Sequence, residues 1–309
     1  MEQQDKALNN HVQGTGDAVQ KRTIQFYKYH VGNSPLLLID NGKLEKQLTA
    51  EEMNFVCNRE FTNAEKVVLL DKVESGPIVR EHSQTTGIVE SGNGLFVLPS
   101  YLNRKSVSAQ TSEGGPLFKA NKVNGHVSVA FEVPKGKCEV REYPVGAGKP
   151  VMAVTAFGMS HVAILRPEPK KEDLLDFAAA LQSSNVIPNL SSVSFYTLMN
   201  KEVKNFEDFE ILSWEAGVGI SGLCATGICA SLVAAIHQME EMSFLRKLKE
   251  FEIKIFNAER SPPAGVNSPE VPARYNRVAV STVGCDENQN ITLNLSLPVK
   301  KDFAGTTEV

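Results

Sequence analysis

Glu90-Ser91-Gly92-Asn93-Gly94-Leu95-Phe96-Val97 and Leu223-Cys224-Ala225-Thr226-Gly227-Ile228-Cys229-Ala230 read as two versions of one device. Each sets a small nucleophile-type residue ahead of small or glycine residues, and an apolar, helix-like run follows. The two copies stand nearly half the ordered chain apart. That spacing implies a duplicated architecture, with one reactive side chain at the opening of a helix in each half. A glycine-rich helix opening exposes several backbone N–H groups beside the positive end of the helix dipole. Two such openings facing each other would hold an anion such as a carboxylate. A thiol at one of them would have its thiolate favoured.

Around these copies the chain reads as many short strands with few helices, an α+β pattern and not a regular βαβ array. Strands are expected at 23–29, 36–39, 67–70, 127–133, 151–157, 162–165, 193–198, 251–256, 277–282 and 291–297. Helices are expected from Thr49, over Glu172–Leu181 and over Thr226–Met242, with a proline-rich loop from Ser261 to Pro272. Residues 1–22 are polar, lack apolar periodicity and are expected to be a mobile tail. A first half over 23–140, completed by the last strand at about 297–309, and a second half over 141–296 follow from the duplication.

The 309 residues are 42% apolar and 22% charged, so two cored domains can form and global disorder is excluded. The net charge of −4 comes without any basic stripe, so nucleic acid is not an expected partner. The longest apolar runs, 35–39 and 230–236, fall far short of the roughly 20 residues that cross a membrane. The opening MEQQDKALNN has no apolar core and is no secretory signal. Five cysteines, an odd number, argue against a disulfide framework and for the reducing cytoplasm. No CxxC pair occurs, and His and Cys never stand at zinc spacing, so no metal is expected.

Taken singly, the candidate residues have bland readings. Cys224 is by base rates a buried core cysteine, Ser91 a helix cap, His161 a satisfied structural histidine and Glu215 a solvated loop acid. Together they carry more. The chain resembles the diaminopimelate epimerase family of cofactor-independent amino-acid racemases and epimerases. Lys28-Tyr29-His30-Val31-Gly32-Asn33 with Leu36–Asp40 is similar to that family's first strand, Gly-Asn turn and second strand. Glu90-Ser91-Gly92-Asn93-Gly94 is similar to its Cys-Gly-Asn-Gly motif, Gly158-Met159-Ser160-His161 to its Gly-Asn-Pro-His, and Pro188-Asn189-Leu190 to its Ala-Asn-Ile. Glu215-Ala216-Gly217-Val218-Gly219 through Cys224-Ala225-Thr226-Gly227 is similar to its Glu-Arg-Gly-x-Gly followed by Ala-Cys-Gly-Thr-Gly. The matches run in order over about 22–300.

The resemblance implies two pseudo-symmetric halves, each a sheet wrapped around a central helix, with the site in the cleft between them. It implies a two-base mechanism without pyridoxal phosphate or any other cofactor. One thiolate removes the α-proton of an amino acid and the opposite thiol returns one to the other face. The openings around Gly92, Asn93, Ala225 and Thr226 hold the α-carboxylate and steady the carbanion. His161 and Glu215 assist thiol deprotonation. Asn33, His82, Met159 and Asn189 occupy substrate-binding positions. A homodimer is also in keeping with the resemblance, although no residue marks it.

The departures are chemical. Ser91 stands where the family has its first catalytic cysteine. A thiol titrates near pH 8.5, whereas a hydroxyl is a far weaker acid, leaving Cys224 as the one strong base and Ser91 as a hydrogen-bonding or relay group. Three accounts follow: an engineered serine in a two-thiol racemase, a natural one-base dehydratase or isomerase, or a non-catalytic paralogue that binds an amino acid or only a protein partner. Ala216 replaces the arginine that clamps the distal carboxylate of diaminopimelate, Met159 replaces an asparagine, and His82 aligns with another. The expected substrate is therefore not diaminopimelate but a neutral, aromatic or basic amino acid.

Overall fold

The computed structural model describes residues 22–32, 34–58, 64–74, 76–83, 87–89, 92–113, 115–133, 139–145, 149–156, 159–167, 169–198, 209–238, 250–256, 275–285 and 291–309. Residues 1–21 of the expected tail, Asn33, Ser91, the end of the helix expected to reach Met242 and the 261–272 loop lie outside the described residues, whereas Arg22 is ordered on Glu52 and Val309.

The strand pairings repeat. In the first half β1 (Thr23–Val31) forms a hairpin with β2 (Ser34–Asp40), and β2 runs parallel to β3 (Lys66–Val73) after the crossover helix α1 (Ala50–Val56). β3 pairs antiparallel with β4 (Gly76–Ser83), and β4 with β5 (Gly87–Val89). A 3-10 helix (Asn93–Phe96) and α2 (Leu98–Tyr101) follow. Then β6 (Ser106–Gln110) joins β4 in parallel and leads antiparallel through β7 (Leu117–Val123) to β8 (His126–Val133).

The second half uses the same plan. β9 (Glu139–Val145) leads into β10 (Lys149–Ala156), which forms a hairpin with β11 (Met159–Leu165). β11 runs parallel to β12 (Leu190–Leu198) after α3 (Lys171–Ser184). β12 pairs with β13 (Phe209–Glu215), and β13 with the short β14 (Gly219–Ser221). The central helix α4 (Ala225–Gln238) comes next, and β15 (Glu250–Phe256) joins β13 in parallel and pairs with β16 (Tyr275–Cys285). The expected duplication is thus present pairing by pairing, as two pseudo-symmetric halves of an α+β fold.

β17 (Ile291–Glu308) stitches the halves. Residues 291–296 lie between β16 and β8, 297 and 298 continue along β8, and 299–308 lie on β1. The change of partner falls at Pro298, which has no N–H to give a ladder. The strand therefore runs well past the 291–297 expected from its apolar alternation.

The uninterrupted apolar runs have a structural cause: their strands are covered on both faces. Leu36 and Leu38 join the cluster around the central helices, while Leu37 and Ile39 join the one beneath α1. Val68 and Leu70 on β3 face inward, Val67 and Leu69 outward. In the second half, Val162, Val193, Phe195, Leu212 and Trp214 pack outward on Leu174, Ala178 and Leu181 of α3. One inner cluster includes Leu95 to Leu98 of the first half and Leu223, Ala225 and Ile228 of the second. The first central helix is short because Pro99 is tolerated only in a first turn, so a new helix starts at Leu98. α1 begins at a capping box, Thr49 bonding the Glu52 N–H and Glu52 the Thr49 N–H. α3 ends at Asn185 in the left-handed region, with φ of 51°.

Candidate active site

The inward rows of both sheets are apolar along most of their length and turn polar at one end. On β3 the row runs Leu70, Val68, Lys66; on β4 Val79, Glu81; on β11 Ala163, His161; on β13 Ile211, Ser213, Glu215. These polar ends meet the two helix openings.

Asn93 joins the openings. Its Nδ2 donates to the Leu223 carbonyl at 2.7 Å, and its Oδ1 accepts from the Ala225 N–H at 3.0 Å. Asn93, Leu223 and Ala225 are all fully buried. Gly92 lies so close that a Cβ built on it would stand 2.7 Å from the Phe131 ring and 3.4 Å from the Ala225 Cβ. Ser91 itself is outside the described residues, but Asn93, two residues after it, bonds the residue after Cys224.

Cys224 caps α4. Its carbonyl accepts from the Ile228 N–H at 2.8 Å, and its Sγ accepts from the Gly227 N–H at 3.3 Å. The Thr226 Oγ1 lies 3.9 Å from Sγ. Burial is the largest influence on this thiol and pushes its pKa up; Glu215 adds to the rise, while Lys66 and the Gly227 N–H oppose it. The resting thiol is therefore protonated. A Cβ at Gly227 would lie 2.8 Å from the Cys224 Sγ and 2.9 Å from the Ser192 Oγ, so only glycine leaves room there.

His161 is fully buried, with Nδ1 2.8 Å from the Ser192 Oγ and Nε2 without a hydrogen-bond partner among the described residues. Burial lowers its pKa to about 4, so the ring is neutral at neutral pH. Glu215 ends the inward row of β13. Its Oε2 is ion-paired with the Lys66 ammonium, and its Oε1 lies 2.6 Å from the Ser221 hydroxyl, which accepts from the Leu223 N–H at 3.2 Å. Lys66 also pairs with the Glu81 Oε2 at 3.3 Å, and the Glu81 Oε1 accepts from the Gly94 N–H at 2.6 Å.

Of the positions singled out in the sequence, Cys224, His161, Glu215, Gly92, Asn93, Ala225 and Thr226 come together around these openings. Met159 shares the inward face of β11 with His161 by alternation and is half-buried. Asn33 lies outside the described residues. Asn189 is an exposed turn residue with φ of 52°, and its carbonyl accepts from the Ser160 N–H. Its near neighbour Ser192 is the one that contacts His161. His82 is not brought to the site: it pairs with Val67 on the outer side of the sheet, and its Nε2 is 3.4 Å from Asn54 of α1. The preceding residue, Glu81, points inward instead. Ala216 packs against the outer cluster under α3. Lys66, Glu81, Ser192 and Ser221 went unremarked in the sequence. For Lys66 and Glu81 the signal was a polar residue extending the inward alternation of an apolar strand. Among the described residues no cluster of three His, Cys, Asp or Glu side chains could hold a metal, and no helix is long and apolar enough to cross a membrane.

No protein-family model matches the chain. A diaminopimelate epimerase from Nostoc sp. is 26% identical over 241 residues, covering 69% of this chain and 80% of the relative. Among solved structures, a protein described as a predicted epimerase from Pseudomonas aeruginosa shares the fold with TM-score 0.59 and 10% identity, over 92% of this chain and 99% of that one. A hydroxyproline epimerase from Agrobacterium vitis with bound trans-4-hydroxy-L-proline does so with TM-score 0.56 and 11% identity, over 93% of each chain. A shared fold and a sequence relationship over most of the chain thus relate this protein to the diaminopimelate epimerase-like epimerases and racemases.

Proposed function

We propose that this protein is a cofactor-independent isomerase acting at the α-carbon of an amino acid, a racemase or epimerase with Cys224 as its principal base. The observation that carries this reading is the Asn93 bridge, which ties the residues beside position 91 to those beside position 224. A carboxylate at the opening of α4 would meet the Thr226 N–H and the positive end of a 14-residue helix, the Ala225 and Gly227 N–H groups being bonded to Asn93 and to the Cys224 sulfur. Charge building up at the α-carbon would be met by the same N–H and helix end. Cys224, as thiolate, takes the α-hydrogen; the neutral His161 and the carboxylate of Glu215 stand beside it as proton-handling groups. The Ser91 hydroxyl would relay a proton to the opposite face, more slowly than a thiol would.

The substrate follows from what is missing. Ala216 supplies no guanidinium and Met159 no amide, so a second, distal carboxylate finds no bidentate clamp. A neutral, aromatic or basic amino acid fits better than diaminopimelate. The test is α-hydrogen exchange in D2O across the common amino acids, with the chain as it stands and with Ser91→Cys. Exchange for at least one amino acid, abolished by Cys224→Ala and accompanied by faster inversion in Ser91→Cys, is expected. No exchange in either form would reject the proposal. A second reading, favoured by the hydroxyl at 91, is a one-base lyase or isomerase; it predicts a keto acid or unsaturated product that depends on Cys224.

A further inference from the structure

Lys66 is a fully buried ammonium between two carboxylates that belong to different halves. Glu81 bonds the Gly94 N–H of the first opening, and Glu215 reaches the second opening through Ser221 and the Leu223 N–H. The cation therefore closes a continuous polar path from one opening to the other.

The pseudo-symmetry makes its presence specific. Val67 pairs with His82 in the first half as Val193 pairs with Trp214 in the second. Lys66 accordingly occupies the place that Ser192 fills in the second half. One half uses that place for a small hydroxyl that holds His161, the other for a full positive charge. Among the described residues, two carboxylates and one ammonium give the cluster one net negative charge, and all three groups are buried. A thiolate at Cys224 would add another. Without Lys66 the thiolate would form beside two uncompensated carboxylates. The ammonium is itself no base: burial alone would lower its pKa, but Glu215, Glu81 and Cys224 outweigh burial and raise it.

We propose that Lys66 is a positioning residue that couples the two halves of the site and supplies the charge that lets Cys224 ionise. This rests on the reading of Cys224 as the working base, but it can be tested without substrate. Among the described residues, the ionisable groups on the elements packed around the cluster are Lys66 on β3, Glu81 on β4, His161 on β11, Glu215 on β13, and Cys224 with Cys229 on and beside α4. The probe is iodoacetamide. The rate of Cys224 alkylation, followed by peptide mass mapping between pH 6 and 11, is proportional to the thiolate fraction below the ionisation midpoint, so the ratio of rates between variants at one pH reads how far that midpoint has moved.

Lys66→Met is expected to move that midpoint up by about one pH unit or more, a tenfold loss of thiolate at any pH below it. Glu81→Gln, which keeps the cation and removes one negative charge, should move it down. Lys66→Met with Glu81→Gln restores the net charge and should return the midpoint most of the way. Because Lys66→Met strands two buried carboxylates, the opposite-signed Glu81→Gln and the charge-balanced double variant carry the test should it fail to fold. A midpoint unmoved by Glu81→Gln, or one that shifts the same way in Glu81→Gln and the double variant as in Lys66→Met, would overturn the proposal and leave Lys66 a structural staple. Shifts of the expected signs in a chain that exchanges no α-hydrogen would uphold the role of Lys66 and reject the isomerase.

Discussion

Replacing Asn93 with alanine removes the clasp between the two helix openings. The Leu223 carbonyl loses a 2.7 Å bond and the Ala225 N–H a 3.0 Å bond, and neither group has access to water. The Leu223 carbonyl keeps the Ser221 hydroxyl as a second donor at 2.8 Å, so the group stranded is the Ala225 N–H, and a buried polar group left unpaired costs about 1–3 kcal/mol. Against a total stability of about 5–15 kcal/mol for an ordinary domain, that is a large fraction. Urea unfolding followed by circular dichroism measures the loss directly. Asn93→Asp separates the two bonds. It keeps an oxygen for the Ala225 N–H but turns a second oxygen toward the Leu223 carbonyl, so it should be at least as destabilising at neutral pH. A loss below about 0.5 kcal/mol in Asn93→Ala, within the range of an ordinary surface substitution, would refute the claim that this side chain holds the openings together.

Three further outcomes follow from the site. His161 has a folded-state pKa near 4, below its ordinary value near 6.5. As pH falls through this window the unfolded chain takes up a proton that the folded chain refuses. Stability should therefore drop by up to about 3 kcal/mol between pH 6.5 and 4, and urea midpoints for His161→Phe should show a shallower pH dependence than those of the parent; parallel curves would contradict this. Gly227→Ala should cost about 1–3 kcal/mol through overpacking against Cys224 and Ser192, and should slow Cys224 alkylation. Unchanged alkylation would show that the thiol does not sit where its bond to the Gly227 N–H puts it. Thr49→Ala removes the cap of α1, well away from the site, and should lower stability by about 1 kcal/mol while leaving α-hydrogen exchange unchanged, as thermal unfolding and an exchange assay would show.

Much of the fold was legible because strands covered on both faces announce themselves. Leu36 to Ile39 and Val67 to Leu70 have no polar residue to spend on a solvent face. The duplication was legible in two short motifs, since each must combine a reactive residue with small neighbours that let backbone N–H groups approach. The strands that escaped notice, such as β4 and β13, carry charges along their length. Glu81, His82, Glu210 and Glu215 break any apolar pattern, and the burial of Glu81 and Glu215 is offset by Lys66, a partner from another strand. Lys66 was hidden for the same reason: its partners are Glu81 and Glu215, and only the folded pairings bring them to it. The choice between His82 and Glu81 as the inward residue of β4 turned on a register of one, which composition does not fix.

The central claim is that positions 91 and 224 face each other across the joined openings. With Cys57, Cys138, Cys229 and Cys285 replaced by serine and Ser91→Cys introduced, mild oxidation should yield an intramolecular 91–224 disulfide, seen as a linked peptide pair by mass spectrometry. Such a bond needs Cα atoms within about 7 Å. Two thiols that stay unlinked, each separately alkylated after oxidation in a folded protein, would contradict the account.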